Sequence, residues 1–379
     1  MTFEADGAAL FEIVAEYAAL GDHRSGTLGD GSTAAWVTSR LARLGLMVGE
    51  ETVPFDRWVA ESTLTCDGVQ ITHLPLATGW TGTVAAVTPA VIGFDPARGG
   101  RPDVVDEPLG RVHGTAAAAV LATEHPHGAL VGVNRDLAAP SGTALPAVLV
   151  AGRDLDRLRN GTVRLTMTAR TEPGATTNVV ADTPAAAAPG ARPVILTTPM
   201  HGWFTCAGER GTGLAVLLHL AERIAAARPD LPLRILVTGG HELTYLGAHA
   251  YVDAHPVPPA AVVHVGASVA VEEDDGAGGR RLIPTRFAMT SVDAATAATT
   301  ADALAVAQLT LAPDVTRFTG EGEAFVRWGA PLLSSTGAGV DFHTPDDVPA
   351  RVTSPAALAR VADAYLVAAL AFLDAVGAG

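Results

Sequence analysis

Three segments of this sequence carry histidines and carboxylates where an apolar, strand-like run ends. His201 and Glu209 follow one such run, and His241 and Glu242 follow the next. His343 lies in a late Phe-His-Thr-Pro-Asp segment. Imidazole and carboxylate groups are the usual ligands of a catalytic zinc ion and the usual general acids and bases. Because ligands of open α/β sheets bind at the carboxyl ends of the strands, the three segments predict one site.

The elements that must position these residues alternate between strands and helices after residue 174. Such alternation predicts an α/β fold, with a mixed, mostly parallel sheet sandwiched by helices. The last helix is expected to begin after Ser354, an N-cap residue that is followed by Pro355. The predicted helices cover residues 9–20, 32–46 and 213–226, with others starting at 242 and 355. The predicted strands are 84–87, 129–133, 147–150, 178–181, 194–197, 233–237 and 261–264.

The residue pattern of the sequence is different between the first two predicted helices and the alternating strands and helices after residue 174. Short β-rich segments are broken there by clusters of glycine and proline, which predicts a β-rich domain inserted into the α/β domain. A charged, glycine-rich segment at 274–281 is expected to be an exposed hairpin or loop. The predicted α/β domain comprises residues 1–50 and 175–379, and the inserted domain comprises residues 51–174.

The composition limits the classes of partner. Of 379 residues, 48% are apolar and 17% are charged, which suits a folded chain with a large core. The formal net charge of −15 repels nucleic acid and anionic membrane surfaces, so neither is expected as a partner. All 25 Lys and Arg residues are arginine, which excludes Schiff-base enzymes, lysine-held pyridoxal cofactors and P-loop nucleotide binding.

Cysteine usage and the first residues bear on localisation. Cys66 and Cys206 lie far apart and fit neither a disulfide framework nor a metal or redox spacing. The first residues are acidic, and no run of about 18 apolar residues stands out. We therefore expect a cytoplasmic protein that is neither exported nor membrane-spanning. The sequence does not specify an oligomeric state.

The order of these motifs resembles the two-zinc aminopeptidase family, which also contains glutamate carboxypeptidases and glutaminyl cyclases. The resemblance rests on the three segments described above, on Asn178-Val-Val-Ala, on a Gly-Thr-Gly helix start ending at Gly213, and on Leu246-Gly247. It runs from the first predicted helix to the C-terminus. It implies the aminopeptidase-like α/β fold, with an insert that resembles a protease-associated domain.

Several positions depart from the family pattern in ways that alter the implied metal centre. His201 matches a zinc ligand, but Trp203 stands where the family has its supporting aspartate. Glu209 corresponds to the aspartate that bridges two ions, and Arg210 replaces the asparagine that follows it. Gly266 aligns with a further ligand aspartate, so the first ion loses a ligand. A guanidinium group beside two metal ions is electrostatically unfavourable.

The remaining family positions retain a ligand set for one ion. The resemblance implies that Glu242 and His343 are ligands and that His241 stands where the family has its general base. We therefore predict a metal-assisted hydrolase acting on an amide or peptide-like bond, with His241 as base and with His201 and Arg210 assisting. One zinc or other divalent ion is predicted, held by His201, Glu209, Glu242 and His343.

Four residues are candidates for binding the substrate, which is predicted to be a small molecule or a peptide. Trp203 offers a ring for stacking, Cys206 lies in the loop after His201, and Glu321 and Glu323 offer carboxylates for an amine. Two alternatives stay open, since function depends on the site and not on the fold. One is a metal-free descendant, a pseudoenzyme in which Arg210 replaces the cations and the cleft binds a small molecule or peptide. The other is acyl transfer or cyclisation in the same cleft.

Overall fold

The structure is a computed structural model that describes residues 4–96, 104–135 and 144–378. The helices are α1 (Gly7–Ala19), α2 (Leu28–Arg43), α3 (Asp106–Gly110), α4 (Leu155–Asn160), α5 (Thr212–Ala227), α6 (Leu246–Ala254), α7 (Ala294–Val306), α8 (Gly322–Phe325), α9 (Pro349–Val352) and α10 (Pro355–Ala375). The strands are β1 (Met47–Cys66), β2 (Val69–Gln70), β3 (His73–Pro75), β4 (Gly82–Val87), β5 (Ala90–Phe94), β6 (Ala119–Thr123), β7 (Ala147–Ala151), β8 (Val163–Asp182), β9 (Val194–Pro199), β10 (Leu233–Thr238), β11 (Ala261–Val265), β12 (Glu272–Asp274), β13 (Arg280–Leu282), β14 (Phe287–Thr290), β15 (Thr310–Ala312) and β16 (Leu332–Thr336).

A central mixed sheet organises the fold. In the described ranges it contains ten strands in the order β15-β14-β16-β11-β9-β10-β8-β1-β2, with β4 paired to β8. The four strands β10, β9, β11 and β16 are mutually parallel, whereas β8 runs antiparallel to β10 and β14 antiparallel to β16. The predicted α/β class with a mixed sheet is therefore confirmed.

Helices cover both faces of this sheet because its central strands are apolar on both faces. In β9, Val194 and Leu196 pack with residues of α1, α5 and α10, whereas Ile195 packs on the opposite face with residues of α6 and α8. All six residues of β9 are buried, as expected for a strand that is covered on both sides. The parallel strands end at one edge, where the loops with the predicted site residues follow.

The last helix, α10, lies in this core. Its N-cap is Ser354, whose hydroxyl oxygen accepts a hydrogen bond from the Ala357 amide at 3.2 Å, and Pro355 is its first residue, as predicted. Among the described residues α10 is the one helix long and apolar enough to cross a membrane, but 61% of that apolar window is buried inside the fold. A helix of this kind fits the core of the α/β layer.

Two twenty-residue strands, β1 and β8, pair along their whole length as an antiparallel ribbon. One end of the ribbon belongs to the central sheet, and further along β4 also pairs with β8. A separate four-stranded sheet, in the order β3-β7-β6-β5, has its own apolar clusters. The predicted domain boundaries at residues 50 and 174 both fall inside ribbon strands, and the division into two domains stays a prediction.

Two local predictions were wrong. Residues 129–133 were expected to form a strand, but they form no strand; instead the Gly132 amide donates to the His343 carbonyl at 2.8 Å. An apolar run alone does not reveal which partner satisfies its backbone. The helix expected from Glu242 starts at Leu246, because Thr244 and Tyr245 have positive φ angles of 56° and 63° that end a short 3₁₀ turn. The predicted hairpin near residues 274–281 is present as β12 and β13.

Candidate active site

A π-helical turn, Ala207–Gly211, connects the loop after β9 to α5. Cys206 precedes it in a left-handed conformation with φ 50°, and its carbonyl accepts hydrogen bonds from the amides of both Arg210 and Gly211. A π turn places one more residue in the turn than an α-helix does, and such turns are frequent at functional sites. Here the turn directs Glu209 and Arg210 inward, and each is only 1% exposed.

Asp347 holds this turn in place from the loop before α9. Its Oδ1 atom accepts a hydrogen bond from the Gly208 amide at 2.5 Å, and its Oδ2 atom accepts one from the Glu209 amide at 3.0 Å. A Cβ atom at Gly208 would lie 2.8 Å from Oδ1, so this close approach requires glycine. Burial raises the pKa of Asp347 to about 7, although both amides act in the opposite direction.

Glu209 and Arg210 form a buried ion pair at the centre of the site. The guanidinium Nη2 atom contacts Glu209 Oε1, and the Nε atom donates to the His201 carbonyl at 3.0 Å. His343 Nε2 lies 3.1 Å from the same Glu209 oxygen, and the Cys206 thiol donates to the other oxygen at 3.2 Å. Burial works to raise the pKa of Glu209, but Arg210 and His343 outweigh it and hold the pKa at about 2. Both carboxylate oxygens are therefore engaged.

His201 belongs to a second group that is built partly from the N-terminal helix region. Its Nε2 atom lies 3.2 Å from Oδ1 of the buried Asp30, and Ser25 Oγ lies 3.1 Å from Nδ1. The Ser25 amide donates to Glu242 Oε1 at 2.5 Å, which leaves Oε2 buried without a hydrogen-bond partner among the described residues. Burial lowers the pKa of His201, but Asp30, with Glu242 and Glu321, raises it by more, so nearby carboxylates stabilise the charged imidazole.

His241 and Glu321 form a third group, a carboxylate–imidazole dyad. Glu321 Oε2 lies 3.0 Å from His241 Nδ1, and the Thr238 hydroxyl donates to Oε1. Burial and then the charge of Arg210 lower the pKa of His241 well below its ordinary value, while burial raises the pKa of Glu321 to about 7. With Nδ1 donating to the carboxylate, Nε2 is the ring nitrogen left to accept a proton. His264, nearby in β11, is bonded to Ser334 Oγ at 2.8 Å.

A cleft of about 210 Å³ lies beside these groups, between the ribbon and the α/β sheet. Trp203 lines it and donates from Nε1 to Asn134 Oδ1 at 2.8 Å, with the Arg24 guanidinium 5.7 Å from its ring centroid. Glu242 also lines the cleft. An amphipathic ring beside a carboxylate is a suitable surface for an organic ligand.

The other predicted substrate contacts need correction. Cys206 is fully buried and bonded to Glu209, and burial raises the pKa of its thiol well above the usual range, so it is not available to a substrate or as a nucleophile. Glu321 is 1% exposed and acts as the partner of His241. Glu323 is exposed on α8, outside the residues that line the cleft.

Sequence reasoning missed several residues that complete the site. The family resemblance places a supporting aspartate for His201 at position 203, where this sequence has tryptophan. Asp30 supplies His201 with a carboxylate instead. Ser25 and Thr238 bond to two of the carboxylates. Asp30 follows the helix start as an ordinary first-turn acid, so its local sequence carries no signal for this role. Only the packing of α2 against the ribbon brings it to the sheet edge.

Comparison with known proteins then places this geometry in a family. Residues 182–369 match the family described as Peptidase family M28. The chain carries a peptidase family M28 domain. The match spans β9 to α10 and includes His201, Glu209, Glu242 and His343. No match was found among curated proteins.

Solved structures with a similar fold cover nearly the whole chain. A zinc aminopeptidase from Bacillus subtilis, BSAP, is 17% identical with a TM-score of 0.72, covering 96% of this chain and 94% of that one. A peptidase M28 precursor from Shewanella amazonensis SB2B is 17% identical with a TM-score of 0.70, covering 97% and 92%. An aminopeptidase from Aneurinibacillus sp. strain AM-1 is 17% identical with a TM-score of 0.62, covering 97% and 93%. These similarities establish the fold.

The M28 match and these neighbours support a metal-dependent peptidase and imply zinc or another divalent ion. The family resemblance implies that four buried side chains of this M28 domain bind such an ion together. Their arrangement in the structure does not fit a metal ion in that way. The predicted ligands separate into two groups, Glu209 with His343 and His201 with Glu242, and both Glu209 oxygens are already engaged. In the described ranges the one cluster of three ligand-type atoms within 4.8 Å is Cys206, Glu209 and Asp347.

That cluster does not resemble the predicted centre either. Both Asp347 oxygens accept hydrogen bonds from backbone amides of the π turn, and the Cys206 thiol donates a hydrogen bond to Glu209. A metal ion needs ligand atoms with free lone pairs and a deprotonated thiol. The cluster therefore holds the π turn before α5 in place through hydrogen bonds, and its atoms are not arranged as metal ligands.

Proposed function

We propose that the protein is a hydrolase acting on an amide or peptide-like bond, with His241 as the general base. The observation that supports this most is the His241–Glu321 dyad, in which a buried carboxylate fixes the imidazole through Nδ1. Such pairing sets the tautomer that leaves Nε2 free to take a proton. His241 keeps 7% exposure, whereas Glu321 behind it keeps 1%. The proposal agrees with the peptidase family of the domain.

In the proposed reaction, His241 Nε2 takes a proton from a water molecule while the water oxygen bonds to the carbonyl carbon. The carbonyl oxygen becomes an oxyanion, and the nearby positive charge of Arg210 stabilises it through space. When the C–N bond breaks, the imidazolium returns its proton to the departing nitrogen. The products are a carboxylic acid and an amine. Glu321 accepts the Nδ1–H hydrogen bond throughout.

A single-ion version of this site is a second candidate. Glu242 Oε2 is a buried acceptor without a partner in the described part of the chain, and Glu209 and His343 already contact each other. In this candidate the two groups would have to move together so that these residues and His201 hold one zinc or other divalent ion, which when bound polarises a carbonyl group. The metal-free binding protein, or pseudoenzyme, and the acyl transferase or cyclase are the remaining alternatives.

The expected partner is a peptide or a small molecule bearing an amide, bound in the cleft that Trp203 lines. A cytoplasmic location stays a prediction. The stacking surface of Trp203 suits an apolar or aromatic group of the substrate.

The test is the release of amine from a panel of aminoacyl amides, dipeptides and N-acyl amino acids, followed by mass spectrometry. The wild-type protein, purified without affinity metal, is compared with H241Q and with the matched control H249Q, which alters a half-buried histidine on α6 outside the dyad. We expect release that H241Q abolishes and H249Q leaves unchanged. Equal release by wild type and H241Q overturns the role of the base. Ligand-induced thermal stabilisation without release supports the binding protein instead.

A further inference from the structure

The least expected feature of this site is a fully buried guanidinium at the point where the family resemblance places metal ions. Arg210 is 1% exposed and follows Glu209, the residue that corresponds to the bridging ligand. Its Nε atom binds the His201 carbonyl, and its Nη2 atom binds Glu209. A buried arginine needs carboxylate partners and hydrogen-bond acceptors to offset its desolvation, and the site supplies both.

We infer that the Arg210 guanidinium takes the place of the metal ions as the internal cation of this site. Four buried carboxylates belong to the three groups described above, which are those of Asp30, Glu209, Glu242 and Glu321. In a metal centre, bound cations neutralise such carboxylates. Here the Arg210 guanidinium, a cation that belongs to the chain itself, forms an ion pair with Glu209, the carboxylate that would bridge the ions. Its charge repels any further cation that approaches the same oxygens.

The positions that lack ligands are closed by packing. A Cβ atom on Gly266 would lie 2.2 Å from the Ser335 carbonyl oxygen, so no ligand side chain fits there. Trp203 is packed so closely on Gly132 that a Cβ atom there would lie 2.3 Å from the indole ring. The Ser335 backbone therefore closes the position of Gly266, and the packing of Trp203 on Gly132 closes the other position that lacks a carboxylate. This packing accompanies the substitution at Arg210 and does not leave a vacant ligand position.

The remaining histidines are also committed to protein partners. His201 faces Asp30, His241 faces Glu321, and His264 faces Ser334. A metal ion would have to compete with these contacts for Nδ1 of His241 and of His264, whereas Nε2 of His264 has no hydrogen-bond partner among the described residues. The inference does not depend on the hydrolase proposal, since the same cation would organise a binding site.

The test is metal binding, with activity left aside. Wild type, R210N and R210Q are purified without affinity metal, offered zinc, dialysed and examined by elemental analysis and by thermal melting with and without chelator. R210N restores the residue that the family resemblance places there, R210Q keeps a longer side chain in case R210N does not fold, and R327N is the control, since Arg327 is half exposed.

We expect wild type and R327N to retain only trace zinc and to melt at the same temperature with or without chelator. The folded Arg210 variant is expected to bind zinc at least about tenfold more tightly than wild type. About one zinc ion per wild-type chain that chelator removes with a lower melting temperature overturns the inference. So does an Arg210 variant that folds and binds zinc no better than wild type.

Discussion

Removing the guanidinium while keeping Glu209 is the sharpest perturbation that this site offers. In R210M the Glu209 carboxylate, with a side chain that is 0% exposed, loses its ion-pair partner and keeps His343 and the Cys206 thiol. Removing one partner of a buried ion pair costs roughly 3–5 kcal/mol because the other charge stays buried. Loss of the hydrogen bond to the His201 carbonyl adds about 1 kcal/mol. Stabilities of whole domains are about 5–15 kcal/mol, so R210M is expected to unfold at a much lower urea concentration.

The double variant E209Q/R210M removes both charges and separates the pair from simple loss of packing. We expect it to be more stable than R210M by roughly 2–3 kcal/mol, because no uncompensated charge is left in the core. The assay is urea unfolding at pH 7 by circular dichroism, with the slope checked for two-state behaviour. R327M is the control, since its exposed pair with Asp253 is worth about 0–1 kcal/mol. A loss below about 1 kcal/mol in R210M, or a double variant that is no more stable than R210M, would refute the reasoning.

Three further predictions concern the dyad, the cleft and acid stability. E321Q keeps the shape of the dyad but removes its charge, so kcat for amide release should fall roughly tenfold to a hundredfold, less than in H241Q; an unchanged kcat would show that the dyad is only structural. W203A should raise KM with little change in kcat, because Trp203 lines the cleft away from the dyad, and a selective loss of kcat would argue otherwise. Burial lowers the pKa of His23 and of His264 to about 3, so the unfolded chain binds more protons than the folded chain below pH 6.5. Stability is therefore lost as the pH falls below 6.5, by at most about 2 kcal/mol per residue at pH 5. H23Q should weaken this pH dependence in urea unfolding, and an unchanged pH dependence would contradict the prediction.

The sheet and the edge at which the site lies could be predicted because apolar runs specify buried strands. The runs before His201 and His241 are β9 and β10, which are adjacent and parallel, so their loops must meet. The Phe-His-Thr-Pro-Asp segment, which resembles the last ligand position of the family, also predicted correctly that its histidine lies near the other site residues, since His343 contacts Glu209. These inferences needed only local periodicity and the order of elements.

The partners of the predicted residues could not be read from the sequence, because they come from distant segments. Asp30 in α2 replaces the carboxylate that Trp203 lacks, and Glu321 supports His241 where a substrate contact was expected. The apolar segment 129–133 predicts a strand, but its residues are buried without pairing in a sheet. The sequence indicates that Arg210 is unfavourable for metal ions, but only the structure shows that Arg210 is buried and contacts Glu209.

Amide release by chelator-treated protein, with metal content determined on the same sample, tests the central claim most directly. The account predicts that a metal-free sample releases amine from at least one substrate class, at a rate that chelator and added zinc leave unchanged and that H241Q abolishes. A rate that is lost on chelation and restored by zinc would contradict it and favour the single-ion site of Glu209, Glu242 and His343. Equal rates in wild type and H241Q would contradict the assignment of the base.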